Sequence, residues 1–274
     1  MPELPEVQTV INYLNDKISG QKIINVEILA HKMLKNASVE DFKSILSNST
    51  IINVKRVGKY LIFHLDNGYV MVSHLRMEGK YFVKDKSDII TDKHIHIIFE
   101  LTDMNLCYHD TRKFGTFTIY KADDFMLSTE LIKIGIDPLN PIFNPQYLFD
   151  KIEKSKKAIK TLLLDQAIVS GIGNIYACEI LFSAKVSPFR LGSEITFQEC
   201  ELIAKESTRI LNLAIENKGT TVSSFSFDNN HSGTFQKYLN VYGRTNKNCH
   251  QCDNLIIKDY INKRGTYYCS HCQG

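Results

Sequence analysis

No stretch of the 274-residue chain stays apolar for the roughly 18 positions needed to cross a bilayer, and the N-terminus lacks the basic-then-apolar run of an export signal. A cytoplasmic protein without membrane contact is therefore expected. Internal repeats and low-complexity tracts are also missing. The 43% apolar content excludes a disordered chain and suffices for one full core, with length to spare for a second domain or a small appendage. Strong charge is absent as well, because 33 basic residues face 30 acidic ones for a net +3. Any surface for a polyanion must be local. Cysteine is present but poorly distributed for disulfides: Cys107, Cys178 and Cys200 lie apart in apolar segments, and the other four bunch near the C-terminus. That grouping points to a metal.

The order of patterns along the chain predicts an α+β protein of several parts. Val7, Val10, Ile11, Leu14 and Ile18 recur at helical spacing, so a first helix is expected to begin near Pro5. Alternation then takes over. Leu61, Phe63 and Leu65, the Asn67-Gly68 turn, Val70 and Val72, and later Ile95, Ile97, Phe99 and Leu101 make residues 22–121 an antiparallel β-sandwich. Three of the six prolines fall within residues 137–145, marking a linker. Residues 147–217 have helical spacing until Lys218-Gly219 ends the run. The expected division is a sandwich domain at 1–134, a linker at 135–146, a helical domain at 147–234 and a finger at 235–274.

Cys249 and Cys252, followed after 16 residues by Cys269 and Cys272, have the spacing of a four-thiolate zinc site. Four thiolates leave no open position for water, so one structural Zn²⁺ is expected and catalytic zinc is not. Between Phe235 and Gly274, Lys237, Arg244, Lys247, Lys258, Lys263 and Arg264 face only Asp253 and Asp259, a local excess of six minus two. Such a basic hairpin suits a phosphate backbone, although zinc ribbons also bind proteins.

The opening MPELPEV supports two readings. Removal of Met1 would leave Pro2 with a secondary amine titrating near about 8, with Glu3 and Glu6 beside it to move protons. Equally, Pro-Glu-x-Pro-Glu is a good helix start. Gly171-Ile172-Gly173-Asn174 lies between helical patterns, with Asn174 expected to cap the second helix and free amides able to take a phosphate. The loop from His109 to Gly115 joins Arg112 to Phe114, an exposed cation and aromatic that could wedge into a base stack, or simply form a solvated turn. His74, Met77, His94 and His96 fit ordinary sheet-face positions.

Taken in order, PELPEV, RVGKYLIF, SHLRMEGKY, DTRKFGTF, VSGIGNIYACEIL, QKYLNVYGR and the terminal cysteines resemble the formamidopyrimidine-DNA glycosylases, bacterial repair enzymes for oxidised purines, over nearly the whole chain. The resemblance implies a helix-two-turn-helix module within the helical domain and a zinc-finger β-hairpin after it. It implies Pro2 as the nucleophile that forms a Schiff base at the sugar C1′, with Glu3 as acid/base partner and Glu6 in support. Lys59 and Arg264 are implied as further members of the catalytic group. Met77, Arg112 and Phe114 would fill the space of a displaced nucleotide, Arg112 facing the orphaned cytosine. His74, His94, Asn174 and Arg264 are similar to the family's DNA contacts. Thr220 and Thr221 lie where a loop would close over an everted 8-oxoguanine. Lys218 stands where the family often has glycine, and Thr161 replaces a frequent proline.

The implied activity is removal of oxidised purines from duplex DNA followed by strand cleavage through β- and δ-elimination, by a monomer with damaged double-stranded DNA as partner. One rival is an endonuclease VIII-type enzyme for oxidised pyrimidines, which the RKFG loop and PELPEV opening disfavour. The other is a non-catalytic zinc-ribbon DNA-binding protein.

Overall fold

Pro5 sits in the first turn of α1 (Leu4–Ile18), where its missing N–H leaves no helix bond unmade. This computed structural model describes residues 1–220 and 233–274. Helix α1 starts one residue before the position read from Pro5, because Glu3 takes the N-cap and its N–H donates to Glu6 Oε2 at 2.9 Å. Its apolar face, from Leu4 through Val7, Val10, Ile11 and Leu14 to Ile18, is at most 2% exposed. Each of these side chains contributes about 1.5–3 kcal/mol on burial. That anchorage makes the chain's first residues a fixed structure.

The sandwich follows from the period-2 segments. One sheet has the order β1 (Ile23–Ile28), β6 (Ile95–Leu101), β7 (Met104–His109), β5 (Lys80–Asp85), and the other the order β2 (Ile51–Val57), β3 (Tyr60–Leu65), β4 (Tyr69–His74), β8 (Thr116–Lys121). All strand pairs are antiparallel. Val26, Ile97, Phe99, Leu106 and Tyr108 of the first sheet share one core with Leu61, Phe63, Met71 and Phe117 of the second and with the apolar face of α1. Asn15 of α1 binds the backbone of edge strand β2 at both polarities, donating to the Val54 carbonyl at 2.9 Å and accepting from its N–H at 2.7 Å.

One element inside this region does not alternate. Helix α2 (Val39–Leu46) begins at Ser38, whose hydroxyl accepts the Asp41 N–H at 3.0 Å. The Ser-x-x-Asp start is a local helix signal that the surrounding alternation hides.

By internal contacts the chain divides into two units, Met1–Ile132 with Lys218–Thr234, and Lys133–Asn217 with Phe235–Gly274. This division cuts across the linear one. Residues from Lys218 group with the sandwich rather than with the helices, and the finger groups with the helices. The second unit contains α3 (Pro145–Ile152), α4 (Ile159–Leu164), α5 (Asn174–Ser183), α6 (Phe197–Glu216) and the hairpin β9 (Ile257–Ile261)–β10 (Arg264–Tyr268). The turn between α4 and α5 is held by Gln166, which accepts the Gly171 N–H and donates to the carbonyls of Leu164 and Ile172. Glu179 of α5, 2% exposed, accepts the N–H groups of Asn240, Val241 and Tyr242 at 2.8–2.9 Å. Burial pushes that carboxyl upward and the three amides oppose the shift. Its bonds tie the segment leading into the finger to the helical core.

Candidate functional site: a nucleic-acid interface in two units

Pro2 and Glu3 are both buried at the head of α1. Glu6, 2% exposed, holds the Glu3 N–H with one oxygen and the Thr220 N–H with the other, at 2.7 Å. Both acids therefore serve the start of the helix, Glu3 as its N-cap and Glu6 as the acceptor of the N-cap amide. Gly219 passes close enough that a Cβ there would lie 2.8 Å from Glu6 Oε1, and its φ of +76° suits glycine. A Cβ on Gly233 would come within 2.1 Å of the Gly219 carbonyl. The two glycines thus lie against each other, with Gly219 packed on Glu6. Thr221 lies outside the described residues.

Lys59 occupies the two-residue turn between β2 and β3, where Val57 pairs with Tyr60 and Gly58, at φ +56°, takes the first position that a type II′ turn reserves for glycine. The Lys59 side chain is 5% exposed. Tyr60 pairs across the sheet with His74, and the two rings meet edge-on at 4.6 Å. His74 Nδ1 accepts the Arg76 N–H at 2.9 Å, which leaves Nε2–H as a donor.

Burial pushes the His74 imidazole down to about 3, with the charges of Arg76 and Lys59 adding to the effect. Unfolded histidine titrates near about 6.5, so between those values the unfolded chain binds a proton that the folded chain refuses. Stability from this group is whole above about 6.5 and is lost as pH falls toward 3, with a slope approaching about 1.4 kcal/mol per pH unit. Urea titrations should therefore show His74→Gln gaining stability relative to the parent from pH 6.5 downward. Parallel stability curves would show that His74 titrates normally.

The loop after β7 is built on Asp110, which is fully buried. Its carboxylate accepts the N–H groups of Arg112 (2.9 Å), Phe114 (2.9 Å) and Gly115 (2.8 Å), and its own N–H donates to the His94 carbonyl at 2.9 Å. This fold of the loop turns Arg112 and Phe114 outward, the guanidinium 4.6 Å from the ring centroid and the ring 51% exposed. Met77, 41% exposed, stands in the loop between β4 and β5. His94 is half-buried, 5.6 Å ring to ring from His109. His96 is buried and bonds the Asp110 carbonyl at 2.9 Å, so it supports this loop from within the fold.

In the second unit the expected cap at Asn174 is corrected. Gly173 is the N-cap of α5, and Asn174 is its first helical residue. The Asn174 side chain instead donates to the Gly265 carbonyl at 2.9 Å, because β10 supplies an acceptor in the direction the helix turns it. Lys160, 0% exposed, donates to the same carbonyl and to Thr266 Oγ1, both at 2.9 Å. Buried Lys160 and half-buried Asn174 therefore both hold the residue that follows Arg264, which is exposed at the hairpin tip. The tip is a two-residue turn with Asn262 at φ +50° and Lys263 at +63°, the pattern of type I′.

The sulfurs of Cys249, Cys252, Cys269 and Cys272 lie within 4.8 Å of one another, with edges of 3.9 and 3.5 Å for the 249–272 and 252–269 pairs. A zinc–sulfur bond of about 2.3 Å gives a tetrahedron with edges of about 3.8 Å. The donor set therefore fits a tetrahedral, thiophilic metal. Cys178, Phe182, Val241 and Ile256 complete the small core around it.

Asp110, Lys160 and Glu179 were not singled out by pattern. Lys160 and Glu179 do their work through partners far along the chain, and Asp110 through amides two to five residues on.

Residues 1–117 match the Formamidopyrimidine-DNA glycosylase N-terminal domain, and residues 134–226 match the Formamidopyrimidine-DNA glycosylase H2TH domain. With the sandwich, the helix pair and the cysteine cluster, this defines a DNA-repair glycosylase. Formamidopyrimidine-DNA glycosylases of Ureaplasma parvum and Mycoplasma genitalium are 49% and 44% identical over 274 residues, covering all of this chain and 100% and 96% of theirs. The chain belongs to the formamidopyrimidine-DNA glycosylase family. Among solved structures, a complex of a Lactococcus lactis FPG mutant with Fapy-dG-containing DNA aligns at TM-score 0.93 and 37% identity over 99% of both chains. The complex of the wild-type L. lactis protein with DNA containing an oxidised pyrimidine aligns at 0.92, with the same identity and coverage.

Proposed function

We propose that the protein excises oxidised purines, 8-oxoguanine and formamidopyrimidines, from duplex DNA and then cuts the strand at the resulting site. The observation that carries this reading is the arrangement at the head of α1: Pro2 buried next to Glu3, with Glu6 joining the Glu3 backbone to the start of the 219–233 segment. With Met1 removed, the Pro2 nitrogen bonds to the sugar C1′ as the C1′–base bond breaks and its electrons leave with the base. Glu3 supplies and takes up protons during that exchange. Loss of the amine proton and breakage of the C1′–O4′ bond, whose electrons leave on O4′ as Glu3 protonates it, then give an iminium that acidifies C2′. Loss of a C2′ proton expels the 3′ phosphate, and a second elimination expels the 5′ phosphate.

A base reaches this amine only outside the helix, which costs a few kcal/mol of unstacking. Met77, Arg112 and Phe114 supply the compensating contacts, with Arg112 leaving the Phe114 ring to face the orphaned base. That cation–π pair is exposed and parts at a cost of about 0.5–1 kcal/mol. Lys59, His74, His94, Asn174 and Arg264 hold phosphates, His74 as a neutral donor and the lysine and arginine as cations. Thr220 and Thr221 belong to the segment that meets the everted base. Cys249, Cys252, Cys269 and Cys272 hold one Zn²⁺, which cross-links the finger and takes no part in bond making. The protein acts as a monomer on damaged duplex DNA.

The test is excision from duplexes carrying 8-oxoguanine opposite cytosine or thymine glycol opposite adenine. Faster release from the first duplex, by tenfold or more on the scale at which sites discriminate related substrates, supports the purine reading. The reverse order would favour oxidised pyrimidines, a reading kept by the L. lactis complex with such DNA.

A further inference from the structure

Tyr108 of β7 is fully buried, its ring edge-on to Tyr81 at 5.2 Å and to Phe117 at 4.7 Å. Each of those rings stands two residues beyond a glycine, and each glycine closes a loop. Gly79 ends the loop that carries Met77, and Gly115 ends the loop that carries Arg112 and Phe114. Both glycines press on one atom. A Cβ on Gly79 would come within 2.2 Å of the Tyr108 hydroxyl oxygen, and one on Gly115 within 1.8 Å. The oxygen fills the space between the two loop backbones, yet it has no hydrogen-bond partner among the described residues. A buried hydroxyl left unpaired costs about 1–3 kcal/mol, so hydrogen bonding does not account for a tyrosine here.

Local bonds give each loop its own shape. The Gly79 N–H donates to the Leu75 carbonyl at 2.9 Å, and Asp110 gathers the amides of the other loop. The Tyr108 oxygen is in contact with both. We propose that Tyr108 is a positioning residue whose hydroxyl is the common stop for the two loops, setting their reach from the sandwich and making the placement of Met77 depend on that of Arg112 and Phe114. The inference rests on reading those three side chains as the group that fills a displaced nucleotide's space. It adds a residue that touches no DNA yet governs discrimination of the base opposite the lesion.

Tyr108→Phe removes the oxygen and leaves the ring. A side chain that only packs would give an equal or higher Tm with unchanged selectivity. As a positioning residue, Tyr108→Phe should keep or raise Tm while changing the ratio of kcat/KM for 8-oxoguanine opposite cytosine and opposite adenine by about threefold or more. A double-mutant cycle reads the linkage directly. Met77→Ala and Phe114→Ala should be non-additive in excision by about threefold or more in the parent and additive in the Tyr108→Phe background. Unchanged selectivity, additivity in the parent, or equal coupling in both backgrounds overturns the proposal. If neither alanine variant alters excision, the reading of the loops has failed, and the inference falls with it for that separate reason.

Discussion

Protein that begins at Pro2 should be trapped by borohydride on a duplex with 8-oxoguanine opposite cytosine, and protein carrying one additional residue ahead of Pro2 should give no adduct. An added residue converts the secondary amine into an amide whose lone pair is delocalised into the carbonyl. The free amine titrates near about 8, so an appreciable fraction is neutral and nucleophilic at pH 7. Removing a covalent nucleophile costs on the order of 10³–10⁶ in rate. The rest of the site should survive the extension, because α1 is held by its buried face and by Asn15, both well inside the chain. DNA affinity should therefore change little while trapping is lost. An adduct of equal yield from the extended protein would move the nucleophile to a lysine and remove Pro2 from its role. No adduct from either protein, with affinity intact, would favour the non-catalytic binding reading.

The second large effect concerns the finger. Cys252→Ser should reduce zinc from one per chain to near zero and weaken DNA binding by tenfold or more, while the cooperative unfolding of the sandwich is unchanged. The finger's core consists of the four sulfurs and a few apolar side chains, including Val241 and Ile256. A core that small does not hold a fold of this length without a cross-link. Structural zinc contributes about 10–16 kcal/mol in isolated fingers, so loss of one thiolate removes more than the segment has in reserve. With the hairpin disordered, Arg264 no longer stands on the support that Lys160 and Asn174 give to Gly265. A charge-assisted contact to phosphate is worth about 1.5–3 kcal/mol, which sets the tenfold scale. Metal analysis and a binding titration at fixed salt decide the point, and an unchanged metal content with an unchanged curve removes the finger from DNA binding.

What could be read without coordinates was whatever has a short period or a fixed spacing. The face of α1, the strands around Phe63 and Phe99, and the cysteine knuckles all repeat within a few residues. Helix α2 escaped because a two-turn element between strands gives too few periods to outweigh its neighbours, even with Ser38 at its start. Asn174 was read as a cap because residue type and position fit one, whereas its real partner, the Gly265 carbonyl, is 91 residues away. Lys160 gave no signal for the same reason. Its two acceptors arrive with β10. Tyr108 gave no signal, since an aromatic in an alternating strand is ordinary and only the approach of Gly79 and Gly115 distinguishes it.

Asn15 has a consequence beyond holding α1. By offering both a donor and an acceptor to Val54 it occupies the backbone groups of an edge strand, as a neighbouring strand would. Exposed edges invite pairing with another chain. The helix that carries Pro2 is thus also the selvage of the sheet, and a lesion in its seating would open that edge to pairing with another chain.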